Sequence, residues 1–341
     1  MAVTCSAGCS LDDALNANDT ATDGVDGAET AASLAECAGR EIRVATYNVE
    51  SVNEAGSTSY EALAATLRRI DADIVCMQEI VDGEAVVFGG LAAEAGYPYV
   101  LKADRSPGIG GELSNGCFAR YPMDVVGSWS AEDLSPDPSA NDVGRDLFTI
   151  RVDVSEGTDC HVGVIAVHAK SGSEPSDWFR RQVEALRLAQ AVALYRELHP
   201  QEPLIVVGDF NERLDEPALG TVLSTLPIGL PPTYQLGSDI TLPLTYQPFT
   251  VLTDAGLALG SPSQEDTPDR RQTWRDSSRL DYIWLSGPEW IEGEVYNSCL
   301  DDGVDAPPQG DYLQKAGEPL ACSVSDDASD HFAVVADLRL P

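Results

Sequence analysis

Leu204-Ile205-Val206-Val207-Gly208-Asp209-Phe210-Asn211 is an apolar run that ends abruptly on an acid and an amide. Its length and β-branched content read as a short buried strand, and the Gly-Asp-Phe-Asn at its end puts polar groups where the chain leaves the sheet. The same grammar recurs. Ile42 to Val49 alternates apolar and polar positions and carries Asn48 near its end, and Asp73 to Glu79 is an apolar run closing on Gln78 and Glu79. Further strands are expected at Gly116 to Ala119, Asp146 to Val154, His161 to His168 and Phe332 to Leu338. A helix is expected from about Ser59 to Ile70, with Leu63, Leu67 and Ile70 on one face and Ser57, Thr58 and Ser59 available as caps. A longer one should run from a Ser176 cap to about Leu198. Strand and helix signals alternate from Glu41 onward without an internal repeat, which predicts one domain over residues 41–341 with irregular insertions near 226–249 and 297–325.

Asn48, Glu79, His168, Asp209, Asn211, Asp281 and the pair Asp330-His331 each fall at or beside the end of an apolar run. One carboxylate in such a place is an ordinary turn residue or cap. Repeated along the chain, the pattern predicts that strand ends converge on one edge of packed sheets, where sites are usually built. Carboxylates with an Asn amide oxygen make a hard oxygen cage suited to Mg²⁺, Mn²⁺ or Ca²⁺, whereas zinc would call for more His or Cys. The chain has 4 histidines. His161 and His199 read as a strand residue and a helix C-terminus, and the other two belong to the polar set.

At 43% hydrophobic and 23% charged residues, the 341-residue chain is not a wholly disordered, collagen-like or coiled-coil protein. Lys+Arg 21 against Asp+Glu 56 gives a net charge of -35, so the surface as a whole repels polyanions and anionic membranes at low ionic strength. Phosphate chemistry must then rely on cations gathered locally, metal ions included. The longest uncharged stretch, Pro217 to Ser238, is broken by prolines and glycines and reads as a loop rather than a membrane span. Residues 1–40 carry no basic residue between Ser10 and Glu36 and are rich in Ala, Asp, Thr and Gly, which predicts a disordered, solvated tether. Behind the early Cys5, such a tether is what remains of an exported bacterial lipoprotein once its signal is removed, Met1 then being an added start. The expected location is extracellular, cell-surface or periplasmic. The 8 cysteines favour the same oxidising setting. Cys299 and Cys322 bracket an acidic excursion and are expected to be bridged. Cys76 and Cys117 sit in apolar runs and are expected as buried free thiols. The pairing of Cys5, Cys9, Cys37 and Cys160 stays open.

Thr46-Tyr47-Asn48-Val49, Met77-Gln78-Glu79, Val167-His168, Gly208-Asp209-Phe210-Asn211, Arg279-Leu280-Asp281-Tyr282 and Ser329-Asp330-His331 together resemble the ordered motif series of the endonuclease/exonuclease/phosphatase superfamily, the DNase I-like fold. Secondary matches are Gly116 to Pro122, Thr253 to Leu257 and Thr273-Trp274. The resemblance covers roughly Glu41 to Leu340. It implies an α+β (mixed α/β) four-layer αββα sandwich that hydrolyses a phosphate ester with a divalent metal, Mg²⁺ first among the candidates. By the same resemblance Glu79 is the principal metal ligand, with Asn48 beside it and Asp330 contributing. His331 is the base that takes a proton from water, and Asp281 orients its ring. His168 and Asn211 donate to phosphate oxygens, and Asp209 positions or activates the nucleophile or helps the leaving oxygen.

The substrate is a phosphate ester, either nucleic acid or a small phosphodiester, and the expected form is a monomer without a stable protein partner. The leading expectation is an extracellular or surface-anchored nuclease. Arg120, Arg145, Lys170 and Arg279 are its candidate phosphate contacts, within a wider set of Arg105, Arg180, Arg181, Arg270, Arg271 and Arg275 that could form a local cationic rim. The alternative is a phosphodiesterase or phosphatase acting on lipid headgroups, resembling a sphingomyelinase. The acidity and the apolar, Pro-rich insertion with Tyr234 and Tyr246 favour it. A non-catalytic binding protein on the same fold ranks last, because every catalytic position of the motif series is matched.

Overall fold

The computed structural model describes residues 37–341 apart from 82, 104–108, 110, 112, 156–159, 263, 265–270, 276–277 and 302–312. The expected tether over 1–36, with Cys5 and Cys9, lies outside the described residues, as do Arg105, Arg270 and part of the 297–325 insertion. In chain order the first half runs β1 (Glu41–Asn48), α1 (Thr58–Ile70), β2 (Ile74–Val81), α2 (Ala85–Glu94), β3 (Tyr99–Lys102), β4 (Leu113–Ala119), β5 (Met123–Trp129), α3 (Ala131–Leu134), β6 (Leu147–Asp153) and β7 (His161–His168). The second half runs α4 (Pro175–Leu198), β8 (Leu204–Asp209), β9 (Val222–Leu223), β10 (Leu244–Thr245), α5 (Pro248–Asp254), β11 (Ala258–Leu259), β12 (Asp281–Ser286), β13 (Glu289–Tyr296), α6 (Ser323–Ala328) and β14 (Ala333–Arg339).

Two six-stranded sheets result, ordered β13-β14-β1-β2-β4-β3 and β11-β12-β8-β7-β6-β5. Period-two alternation then builds the layers. Ile42, Val44, Ile74 and Cys117 of the first sheet face Ile150, Val164, Ile205 and Val207 of the second in one shared core. The opposite side chains of the first sheet, Ala45, Tyr47, Val75 and Met77, pack with Leu63 and Leu67 of α1 and Phe88 and Leu91 of α2. On the far side Ile165, Val167 and Val206 pack with Leu188 and Val192 of α4 and Leu252 of α5. The product is the four-layer αββα sandwich of the DNase I-like class. The long helix starts earlier than Ser176: Glu174 is its N-cap and Pro175 its first residue, where a missing N–H costs nothing. His199 is its C-cap.

Among the described residues, disulfides join Cys37 to Cys160, Cys76 to Cys117 and Cys299 to Cys322. Three bonds of this kind fit an oxidising compartment. The second corrects the expectation of free thiols. Cys76 and Cys117 are buried as expected, but the antiparallel register of β2 and β4 sets them directly opposite, with Cα atoms 4.1 Å apart. No helix among the described residues is long and apolar enough to cross a membrane.

The 226–249 insertion is not a free loop. Tyr246 is fully buried in a satellite core with Phe179 and Val183 of α4, and Tyr234 packs against that core. The Tyr246 hydroxyl donates to Glu212, which also accepts from Arg181 at 3.0 Å. Both tyrosines therefore face inward, and neither is offered to a lipid. Arg187 of α4 fastens the insertion: its guanidinium donates to both carboxylate oxygens of Asp142 at 2.9 and 2.7 Å and to Asp239 at 2.7 Å. Arg187→Met is expected to lower stability by about 3–5 kcal/mol, because it leaves the fully buried Asp142 uncompensated. Denaturant unfolding measures this, and Asp142→Asn added to it should restore part of the loss. Partial burial alone would raise the Asp239 carboxyl, but the hydrogen bond from Arg187 leads the partners that hold it below the usual carboxylate range. A depressed folded value means that this contribution is present above about pH 4 and fades as pH falls further. The acid-side loss of stability should accordingly be shallower in Arg187→Met.

Candidate active site

β1, β2, β7 and β8 all end at the same edge of the sandwich, and the antiparallel β12 and β14 begin there. Asn48, Glu79, His168, Asp209, Asn211, Asp281 and His331 are thereby brought together from six strands and their flanking turns. The Asn48 amide donates to Glu79 at 3.1 Å and to Asp209 at 3.0 Å. His168 Nε2 stands 3.5 Å from Glu79 and 3.8 Å from Asp209. His331 Nδ1 is 2.8 Å from Asp281, and its Nε2 lies 3.9 Å from both Asp209 and Asp330. Asn211 donates from its backbone to Asp209 at 2.8 Å, and from its side chain to Asp209 and to the Ala169 carbonyl, each at 3.1 Å.

Local backbone devices aim these groups. Glu79 lies where the β2–β4 register slips, between Met77 and Ile80, and has φ 66°. A bulge with a left-handed residue turns its carboxylate out of the sheet's regular alternation. Asn211 at φ 50° and Glu50 at φ 56° are also left-handed, so three of the four left-handed non-glycine residues among those described lie at this edge, Asp71 at the far end of the strands being the fourth. Gly208 meets a different need. β7 and β8 are parallel neighbours, and a Cβ on Gly208 would come within 1.9 Å of the Val167 carbonyl oxygen. Gly208→Ala is expected to cost about 1–3 kcal/mol of stability. It should also lower activity, because the register partners displaced next are His168 and Asp209. Thermal unfolding and turnover of the variant, measured together, check this.

The electrostatics divide the histidines. Burial works against a proton on His331, but Asp281 first, then Asp209 and Asp330, outweigh it and raise its pKa to about 10. His168 goes the other way: burial, then Arg145 and His331, push it well below its ordinary value, so its imidazole is neutral. Its Nδ1 is buried without a partner among the described residues. Burial and the nearby Asp281 raise Asp209, while His331 opposes them.

Some positions act as supports. The Ser329 hydroxyl donates to the Asn48 carbonyl at 2.7 Å and accepts from the His331 N–H at 3.1 Å, tying β1 to the turn before β14. Thr273 Oγ1 accepts from the N–H groups of Leu280 and Asp281 at 2.9 and 3.1 Å, which fixes the start of β12. Trp274 Nε1 donates to Asp330 at 3.1 Å. The sequence marks Thr273-Trp274 and Ser329 as motif members, but these hydrogen-bonding duties have no signal in residue type or spacing.

A cation would meet suitable donors here. Glu79, His168 and Asp209 offer ligand atoms within 4.8 Å of one another, as do Asp209, Asp281 and His331. Glu79 and Asp330 keep side-chain exposures of 25% and 36%, so their carboxylates are the accessible ones. Asn48 presents its amide nitrogen rather than its oxygen to the carboxylates, since its Oδ1 accepts from the Glu50 N–H at 3.1 Å.

The basic candidates scatter. Arg145 lies under the cluster, its guanidinium 3.5 Å from the His168 carbonyl oxygen and 3.4 Å from that of Ala169. Arg279 stacks over Tyr282 just before Asp281. Lys170 is close in sequence but pairs with Asp177 at 3.0 Å. Arg120 is at the other end of the strands, where it pairs with Asp71 and lies over the Tyr97 ring. Arg181 is buried against Glu212, Arg180 is buried with Glu184 at 4.0 Å, and Arg275 caps the Ser329 carbonyl at 2.6 Å. Most of the expected rim is structural because the acids needed to hold loops together are abundant in this chain.

A DNase I-like sandwich with carboxylates, amides and imidazoles across its strand ends places the protein among phosphoesterases. The chain belongs to the Endonuclease/Exonuclease/phosphatase family, which it matches over residues 45–331. Its fold is shared by an endonuclease/exonuclease/phosphatase from Beutenbergia cavernae DSM 12333, at 19% identity and TM-score 0.54, over 88% of this chain and 72% of that one. ANGEL2, a 2',3'-cyclic phosphatase in complex with adenosine-2',3'-vanadate, is similar at 17% identity and TM-score 0.54, over 89% and 96%. The human nocturnin catalytic domain with a bound sulfate anion gives 18% and 0.51, over 88% and 94%. No curated protein matches the chain significantly.

Proposed function

We propose that the protein is an extracellular, divalent-cation-dependent phosphodiesterase that cleaves nucleic acid by direct attack of water. The observation that carries this reading is the His331–Asp281 pair at 2.8 Å, with the free ring nitrogen turned toward Asp209 and Asp330. Asp281 fixes the tautomer, leaving Nε2 to take a proton from water. Asp209, buried and held by Asn48 and Asn211, orients that water. The neutral His168 donates to a non-bridging oxygen, whose negative charge grows in the transition state, and the Asn211 amide joins it by giving up one of its bonds to Asp209 or to the Ala169 carbonyl. Glu79 and Asp330, with Asn48 once its amide is turned, are the residues that would hold Mg²⁺ or a similar hard cation. When bound, such a cation neutralises phosphate charge and relieves the acidic surround that keeps the proton on His331.

A specific observation favours the lipid alternative as second reading: Leu226 and Ile228 at the start of the insertion are exposed, Ile228 completely. A substrate panel tests both. Plasmid DNA, RNA, bis-p-nitrophenyl phosphate, p-nitrophenyl phosphate and sphingomyelin are compared at saturating Mg²⁺, and the nucleic acids should be turned over best. Sphingomyelin ahead of DNA and RNA would replace the first reading by the second. On DNA, kcat/KM should rise and then fall as NaCl goes from low salt to about 1 M, because screening first relieves repulsion by the acidic surface. A steep fall from the lowest salt upward would show a dominant basic groove instead.

A further inference from the structure

Arg213, Arg271 and Arg279 line an open cleft of about 400 Å³ together with Leu214, Asp215 and Tyr282. In a chain of charge -35 such a gathering runs against composition. Arg279 is its floor. One of its terminal nitrogens donates to the Gly260 carbonyl at 2.7 Å and its plane rests 4.5 Å over Tyr282, yet Nε and Nη1 are buried with no partner among the described residues. Buried guanidinium donors left unmade are costly, and they point to a ligand that satisfies them. Arg271 has no ion-pair partner among the described residues, and Arg213 has only the exposed Asp215 at 3.2 Å, a surface pair worth little.

The cleft shares a wall with the candidate active site. Arg213 follows Asn211 by two residues and Arg279 precedes Asp281 by two, while the Phe210 N–H bonds the Leu280 carbonyl at 2.9 Å between them. Two residues of chain span at most about 7 Å, a distance that a single sugar between successive phosphates can bridge. We propose that Arg213, Arg271 and Arg279 form a second phosphate subsite, occupied by the phosphate next to the scissile one on a nucleic-acid strand. Planar guanidinium groups suit phosphate oxygens, and binding at this one place lets an acidic protein hold a polyanion that its overall field repels.

This inference rests on the phosphodiesterase reading, and the experiment separates the two. Binding of a fluorescein-labelled thymidine octamer to the full-length protein in EDTA is followed by anisotropy as NaCl is varied. Arg213→Ala/Arg271→Ala should bind at least about tenfold more weakly. Its slope of log affinity against log salt should be smaller by about 0.7 for each phosphate that is no longer neutralised. In Mg²⁺, kcat/KM for the octamer should fall more than that for bis-p-nitrophenyl phosphate, which carries a single phosphate. Equal octamer binding by the two proteins, or equal losses on both substrates, overturns the subsite. Failure of the unaltered enzyme to hydrolyse bis-p-nitrophenyl phosphate counts against the phosphodiesterase reading, while the binding measurement still decides the subsite.

Discussion

His331→Ala and Asp209→Ala should each lose about two to four orders of magnitude in kcat while keeping the melting behaviour of a folded protein. His331 is buried and bonded to the fully buried Asp281, so its removal should also cost stability by leaving that carboxylate unpaired, and thermal unfolding is read beside kcat. Asp209 is more deeply placed and takes hydrogen bonds from Asn48 and Asn211, so its variant is read with circular dichroism beside the kinetics. Asp209→Asn supplies the gentler control. His199→Ala should be nearly silent, since that ring caps the far end of α4 and lies 3.7 Å from Glu202. Equal damage from His199→Ala would refute the division of the histidines into a working pair and a structural pair.

Chelation should abolish turnover, and added Mg²⁺ or Mn²⁺ should restore it. The carboxylates of Glu79, Asp209, Asp281 and Asp330 crowd one edge, and a phosphodiester brought there meets like charge. His331 and the neutral His168 cannot offset that alone. Residual activity in EDTA above about one per cent of the starting rate would require another source of positive charge, with Arg145 beneath His168 as the first suspect, and would argue against the cation requirement. Glu79→Gln should behave as partial chelation does, with activity recovering as Mg²⁺ is raised. The measurement is the Mg²⁺ dependence of kcat/KM for the two proteins side by side.

The strand ends were readable because each polar residue interrupts a run whose remaining members are apolar, and burial allows few such interruptions. Asn48, Glu79, His168, Asp209, Asn211, Asp281 and His331 all stand out for that reason, and all meet in space. Side-chain direction and pairing were not readable in the same way. Cys76 opposite Cys117 depends on the register of β2 against β4, fixed by strands far apart in sequence. Arg120 follows a strand that runs away from the site, so its place on the edge opposite could not be told from its charge alone. Arg180 and Arg181 are on the face of α4 that the 226–249 insertion covers, and the chain gives no local sign of that cover. The orientation of the Asn48 amide was hidden for a smaller reason: the Glu50 N–H, two residues on in a left-handed turn, claims the oxygen first.

The bond between Cys37 and Cys160 precedes the first residues of β1 and β7, one strand in each sheet, whereas Asn48 and His168 are the last residues of those same strands. The sandwich is therefore tied covalently at one end, while at the other the hydrogen bonds from Asn48 to Asp209 and between His331 and Asp281 cross from one sheet to the other. A reductant would break this tie without touching a single group of the cluster. Reduction is accordingly expected to lower the melting temperature while every residue of the cluster stays chemically unaltered.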